Sequence, residues 1–332
     1  MTATAGLPPG PFPTLALSRS GTVSEFIEAC RLVSAAAPMS NLSPGEANRL
    51  FYKTHARHYD TVEYCAHAPE AQERLANAIG PALAALGPDA RVLDAGGGSG
   101  NVSSLLADRG FRPRLVDVSA EMVARWEAKA RARGLEPDTE VAPLEEFFER
   151  DQDCWDLIVF SSVLHHLEQP ISLLEMAVRR LQPGGFLVTV FDPLQLGRVG
   201  TLLRKLDYLL WVVRHSPQRI PGVVARRLRP GATGGGEDNL GAIAEYHAVR
   251  GLDDWAIIEA LGAGGMDLVA HGRTYDARFG IVRAISSAMR TPTSFSLVMR
   301  RRAARRARTR SKPEARREAS ARARSGNGPW RG

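Results

Sequence analysis

Cysteine is nearly absent: 332 residues contain only Cys30, Cys65 and Cys154, far apart and with no C-x-x-C pair. That spacing excludes a disulfide framework and a zinc site, and it suits a reducing compartment. No apolar run approaches the roughly 18 residues of a spanning helix. The first residues are rich in Pro and Gly and lack a basic start followed by an apolar block, which argues against a secretory signal. A cytoplasmic protein, in peripheral contact with membranes at most, is the expectation. No internal repeat is present, so a solenoid is excluded. Acidic residues are scarce at one end only. Residues 300–332 hold 13 Arg plus Lys against 2 Glu, whereas the rest holds 30 basic and 34 acidic residues. The net charge of +7 and the pI of 9.7 therefore belong to a tail on a mildly acidic body. That tail has almost no large apolar residue before Trp330, so it cannot build a core and is expected to be disordered. It reads first as a solubilising extension, with contact to an anionic membrane or nucleic acid as the alternative.

What is present is enough apolar sequence, 44%, for one large core. Residues 1–40 form an N-terminal extension with one helix expected over 24–36. Residues 41–65 read as a helical segment, and 71–86 as a helix stopped by Gly87-Pro88. Strands and helices then alternate: strands at 92–94, 114–117, 139–142, 157–160 and 186–191, and helices at 102–109, 120–133 and 171–181. Pro183-Gly184-Gly185 is expected to stop the last of these helices. The alternation breaks after Asp192-Pro193. In the interval Leu202, Leu206, Leu209 and Val213 share one helical face, too short to span a bilayer. That face can pack on the core, build a dimer or touch a membrane surface. Residues 217–236 read as a loop. A helix at 252–261 and strands at 266–270 and 294–299 follow. This pattern predicts an α/β fold with a mainly parallel sheet covered by helices on both faces.

The run Arg91-Val92-Leu93-Asp94-Ala95-Gly96-Gly97-Gly98-Ser99-Gly100 describes a buried strand entering a tight turn where a ligand approaches the backbone. A second short strand ends in Asp117, at about the distance expected of a carboxylate that grips a ribose. Together they indicate a nucleoside-bearing cofactor. A nicotinamide fingerprint fits poorly, because Asn101 or Ser103 stands where its third small residue belongs.

These residues resemble the first motifs of class I S-adenosylmethionine-dependent methyltransferases. The resemblance continues through Val116-Asp117-Val118-Ser119, Asp156 to Phe160, Leu164-His165-His166-Leu167 and Leu181 to Phe186. Residues 51–60, ending in His58-Tyr59-Asp60, resemble the lead-in to the small-molecule branch that includes quinone-biosynthesis enzymes. The resemblance implies a Rossmann-like, doubly wound, mainly parallel seven-stranded sheet over 41–300, with its last strand antiparallel and an inserted helical segment at about 194–247 forming the acceptor wall. It implies S-adenosylmethionine as cofactor. Gly96, Gly98 and Gly100 would open the backbone to the methionine part, with Asp94 near its ammonium and Tyr59 near its carboxylate. Asp117 would accept from the ribose hydroxyls. Val118 and Met122 would flank the adenine, Leu144 and Glu145 would read its edge, and Ser161 would face the transfer site.

Methyl transfer to a hydroxyl needs a base. His165 and His166 follow the fourth apolar strand, and neighbours cannot point the same way; His166 is favoured. His247, in Glu245-Tyr246-His247, is the alternative base, and Asp192 either faces the acceptor or caps a helix. No metal is expected, since adjacent histidines do not match the helical ligand pair. The expected activity is methylation of a small or lipophilic acceptor, at oxygen rather than carbon or nitrogen, with an oligomer allowed. The alternatives are a cofactor-binding regulator without turnover and a nucleic-acid methyltransferase guided by the tail.

Overall fold

The structure is a computed structural model, described here for residues 42–215, 247, 250–277 and 279–303. The expected helix at 24–36, the loop at 217–236, Glu245, Tyr246 and the tail beyond 303 lie outside the described residues. One unit, Met1–Arg302, contains every described element.

Seven strands form one sheet: β1 (Val92–Ala95), β2 (Pro113–Asp117), β3 (Asp138–Val141), β4 (Trp155–Ser161), β5 (Leu181–Pro193), β6 (Met266–Thr274) and β7 (Ser294–Arg301). Their order is β3-β2-β1-β4-β5-β7-β6. The first five run parallel, whereas β7 is antiparallel to both β5 and β6. The chain leaves β1 toward β2 and β3 and then returns to β4 on the other side. This reversal leaves a crevice beyond the carboxyl ends of β1 and β4.

The helices are α1 (Pro44–Val62), α2 (Tyr64–His67), α3 (Pro69–Leu83), α4 (Asn101–Ala107), α5 (Ala120–Ala132), α6 (Leu144–Arg150), α7 (Pro170–Arg179), α8 (Arg198–His215), α9 (Asp254–Ala263) and α10 (Gly280–Ala288). Both faces of the sheet are buried, which is why its central strands read as unbroken apolar runs. Along β4, Ile158 and Phe160 join the core formed with α6 and α7, while Leu157 and Val159 join Leu75 and Ile79 of α3 on the other face. Trp126 and Val123 seat α5 on Leu115 of β2.

Three local expectations are corrected. Pro183-Gly184-Gly185 lies inside β5, which begins at Leu181; a register shift opposite Trp155 and Leu157 accommodates it. Residues 144–150 form α6, a helix too short to declare itself by periodicity. The Leu202, Leu206, Leu209 and Val213 face of α8 points to solvent; Leu203 and Asp207 are the residues turned inward. Among the described residues no helix is long and apolar enough to cross a membrane.

Candidate active site

The turn after β1 holds Gly96, Gly98 and Gly100 at φ of 71°, 53° and 81°, a region side chains disfavour. Space enforces the choice at two of them. A Cβ on Gly96 would stand 2.6 Å from Val163, and one on Gly100 would stand 2.3 Å from the Trp126 ring. The bare turn lets β1 pass directly into α4 with its backbone facing the crevice.

Asp94 is fully buried at the end of β1. Its Oδ2 accepts from Ser103 N at 2.9 Å and from Ser103 Oγ at 2.7 Å, while its Oδ1 has no partner among the described residues. Burial pushes its carboxyl up to about 7 despite the Ser103 hydrogen bonds, with the Asp117 charge adding to the rise. Asp117 ends β2. Its Oδ2 accepts from Gly98 N at 2.9 Å and its Oδ1 from Ser119 N at 2.8 Å, so it clamps the glycine turn to the start of α5. Burial raises it to about 6 against those two bonds. Each oxygen keeps a second lone pair for a ligand hydroxyl.

Helix α1 lies along the cleft. Ser43 caps it in a capping box with Glu46. Residues from Ser43 to Tyr52, and then Tyr59, line the cavity beneath. Burial pushes the Tyr59 phenol well above its ordinary range, and nearby Cys65 adds to the rise. The far end of α1 is tied down by one carboxylate. Asp60 accepts from Ser99 Oγ at 2.5 Å, Arg125 at 2.8 Å and Lys129 at 3.1 Å. Burial would raise Asp60, but the Ser99 bond and the Lys129 and Arg125 contacts hold it below the usual carboxylate range.

The cavity enclosed in this way measures about 650 Å³. Of the residues singled out in the sequence, Tyr59, Asp94, Gly96, Gly98, Asp117, Val118, Met122, Leu144, Glu145, Ser161 and His166 lie on its wall. Gly100, His165 and His247 do not. Gly100 sits behind the wall under Trp126, as the N-cap of α4. His165 is buried, with Nδ1 2.9 Å from Asp192 Oδ1 and its own backbone N donating to the same oxygen at 3.2 Å. Its ring lies 4.0 Å from the ring of His166, which in turn meets Tyr52 edge-on. His247 donates its backbone N–H to His165 O at 2.7 Å and places its Nε2 3.4 Å from Glu168 O. The geometry thus separates the histidines: His166 faces the cavity, His165 pairs with a buried acid, and His247 buttresses the turn between them.

Residues 67–226 match a family model described as a methyltransferase domain. Over those residues the chain is similar to methyltransferase domains. The chain spans less than half the length of the curated relatives it matches. It is 36% identical over 112 residues to tRNA 5-carboxymethoxyuridine methyltransferase of Escherichia coli K12, covering 33% of this chain and 43% of that one. It is 28% identical over 96 residues to the ubiquinone biosynthesis O-methyltransferase of Xylella fastidiosa 9a5c, covering 29% and 39%. Among solved structures, magnesium protoporphyrin IX methyltransferase from Synechocystis PCC 6803 aligns at 16% identity and a TM-score of 0.45, covering 83% of this chain and 93% of that one.

The residues of the cleft fit S-adenosylmethionine, the cofactor that the sequence resemblance implies. The unpartnered Asp94 Oδ1 is an acceptor awaiting a donor such as an ammonium. Val118, Met122 and Leu144 supply apolar walls, and Glu145 lies at their edge. Three contributions were missed in the sequence. Asp60 and Ser99 meet only in space, 39 positions apart. Asn48, buried at the wall with an unpartnered Oδ1, sits in a helix with no motif to flag it. The Asp192–His165 pair depends on a bulge in β5. Val190 pairs with Ser296 and Asp192 with Phe295, so Phe191 is skipped, at φ 68°. Strand alternation alone would put Asp192 on the Val190 side; the bulge turns it to the Phe295 side, where His165 lies.

Proposed function

We propose that the chain transfers a methyl group from S-adenosylmethionine to an oxygen of a small, largely hydrophobic metabolite, with His166 as the base. The observation that carries this is that one cavity is lined both by the glycine turn with Asp94 and Asp117 and by His166, Ser161 and Ser162. The bound cofactor would supply a methyl on a cationic sulfur, open to in-line displacement. Asp94 Oδ1 and the glycine-turn backbone would hold the amino-acid end, and Asp117 would accept from the ribose. His166 takes the hydroxyl proton as the acceptor attacks. Tyr52, edge-on to that ring, and His165, tilted against it, restrict its orientation.

The test is incubation with cofactor carrying a labelled methyl and a host metabolite extract, followed by mass spectrometry for a labelled methyl gain. His166→Ala should lower turnover at least a hundredfold while leaving S-adenosylhomocysteine affinity unchanged. Equal turnover in the variant removes the base assignment, and cofactor binding with no methylated product favours the regulatory alternative. One observation favours a tRNA acceptor, namely the match to the Escherichia coli tRNA enzyme. Against it, among the described residues the cavity lining sets Glu46, Glu145, Glu146 and Glu168 against one arginine, Arg49, a charge balance that repels phosphate. Labelling of extract before and after ribonuclease treatment separates the two readings.

A further inference from the structure

Outside the cleft, two helices expose an unusual surface. On α8, Leu202 is 67% exposed, and Leu206, Leu209 and Val213 are 37%, 44% and 47% exposed. At 100° per residue these four fall within about a 60° arc, with the inward Leu203 and Asp207 about 90° and about 130° from its centre. Helix α10 packs against α8, with Asp207 Oδ1 accepting from Phe279 N at 3.1 Å just before α10 begins. It adds Ile281 at 67% exposed, together with Ile285 and, at its end, Met289. Seven large apolar side chains therefore face solvent on two adjoining helices, more than scattered surface leucines would give.

The charges on these helices are one-sided. Residues 198–215 and 280–290 contain six Arg or Lys and one acid, Asp207, which is buried and committed to Phe279. Arg198, Lys205, Arg214 and Arg290 are exposed. Arg198 and Lys205 flank the apolar arc of α8 on one side.

We propose that the α8–α10 face docks on an anionic lipid bilayer, its leucine and isoleucine side chains entering the interfacial region while the basic residues meet phosphate headgroups. Three occupants compete for an apolar, basic surface, and the charges decide among them. A second copy of the chain related by a twofold axis would set the same basic ring against itself with no acid to answer it. A nucleic acid would satisfy the cations but leave the leucines in water. An anionic bilayer satisfies both sets at once. This surface belongs to the folded body and is distinct from the basic tail. The proposal does not depend on what the cleft methylates.

The test is co-sedimentation of the full chain with vesicles of phosphatidylglycerol and phosphatidylcholine in equal parts, and with phosphatidylcholine alone. The full chain should bind the anionic vesicles at least tenfold more tightly. The variant Leu202→Ser/Leu206→Ser/Leu209→Ser should lose at least tenfold of that affinity while keeping S-adenosylhomocysteine binding. As a gain-of-signal control, Leu202→Trp should show a blue-shifted emission component that appears only with anionic vesicles. Absence of binding, equal binding to both vesicle types, or undiminished binding by the serine variant overturns the proposal; the last outcome assigns the contact to the tail. A wild-type dimer that the serine variant converts to monomer overturns it in favour of self-association.

Discussion

Two carboxyls at the heart of the cleft are held well above the ordinary aspartate value of 3.8, Asp94 at about 7 and Asp117 at about 6, both because they are buried. A raised acid binds its proton more tightly in the folded chain than in the unfolded one. The stability that each contributes is therefore complete below the ordinary value and is lost as pH rises through about 6 to 7. The melting temperature of the ligand-free protein should fall across that window in a calorimetric scan series. Ligand affinity should move the other way, because an ionised Asp94 attracts an ammonium and an ionised Asp117 accepts from hydroxyls without donating. Titration calorimetry with S-adenosylhomocysteine should show affinity rising from pH 5.5 to 8, and Asp117→Asn should flatten part of that rise and weaken binding at least several-fold. Two glycines with nearly equal backbone angles make a sharper comparison. Gly100→Ala meets the Trp126 ring and should cost about 2–5 kcal/mol. Gly110→Ala meets nothing within 4 Å and should cost about 1 kcal/mol. Denaturant melts of the two variants check the difference. Asp94 and Asp117 could be found from the chain because each ends an apolar run at a fixed distance from the glycines. Asp60 could not, because its meaning comes from Ser99, Arg125 and Lys129, which only folding brings near.

At the level of elements, α1 behaves as a roof fixed at one end by a single side chain. Replacing Asp60 with Asn removes a charge from contacts with two cations and from the Ser99 bond. Asp60→Asn should raise the S-adenosylhomocysteine dissociation constant several-fold and lower hydrogen-exchange protection across 44–62, while the exchange of β1 and β4 stays as in wild type. The alternating strands and helices from 92 to 191 were readable chiefly because β1, β2 and β4 carry short apolar runs and Gly110 and Gly134 close the helices between them. Elsewhere periodicity misled in identifiable ways. It shows that α8 has an apolar stripe but not which side meets the core; Leu203 and Asp207 take that role, and the longer stripe is left outside. It treats Pro183-Gly184-Gly185 as a stop, whereas the triplet lies within β5 where the neighbouring register shifts. It counts β5 as uninterrupted, so the skipped Phe191 and the turning of Asp192 toward His165 are invisible until pairing with β7 is known.

Over the whole molecule, all the described elements fall within Met1–Arg302. A chain ending at Arg302 keeps the bonds of that residue to Gly265 O and Asp267. It should melt within about 2 °C of the full chain and bind S-adenosylhomocysteine equally well, although removal of ten basic and two acidic residues leaves its formal charge near zero. Thermal melting and calorimetry on both lengths check this. The position of β7 has a consequence for biosynthesis. It is the last of the described strands to leave the ribosome, yet it sits between β5 and β6 rather than at a border. A nascent chain therefore holds the flank of β5 unzipped, and β6 without a neighbour, until β7 has emerged. A premature stop anywhere in the final strand would release a polypeptide with an intact glycine turn and an adhesive raw seam, destined for inclusion bodies rather than for partial activity.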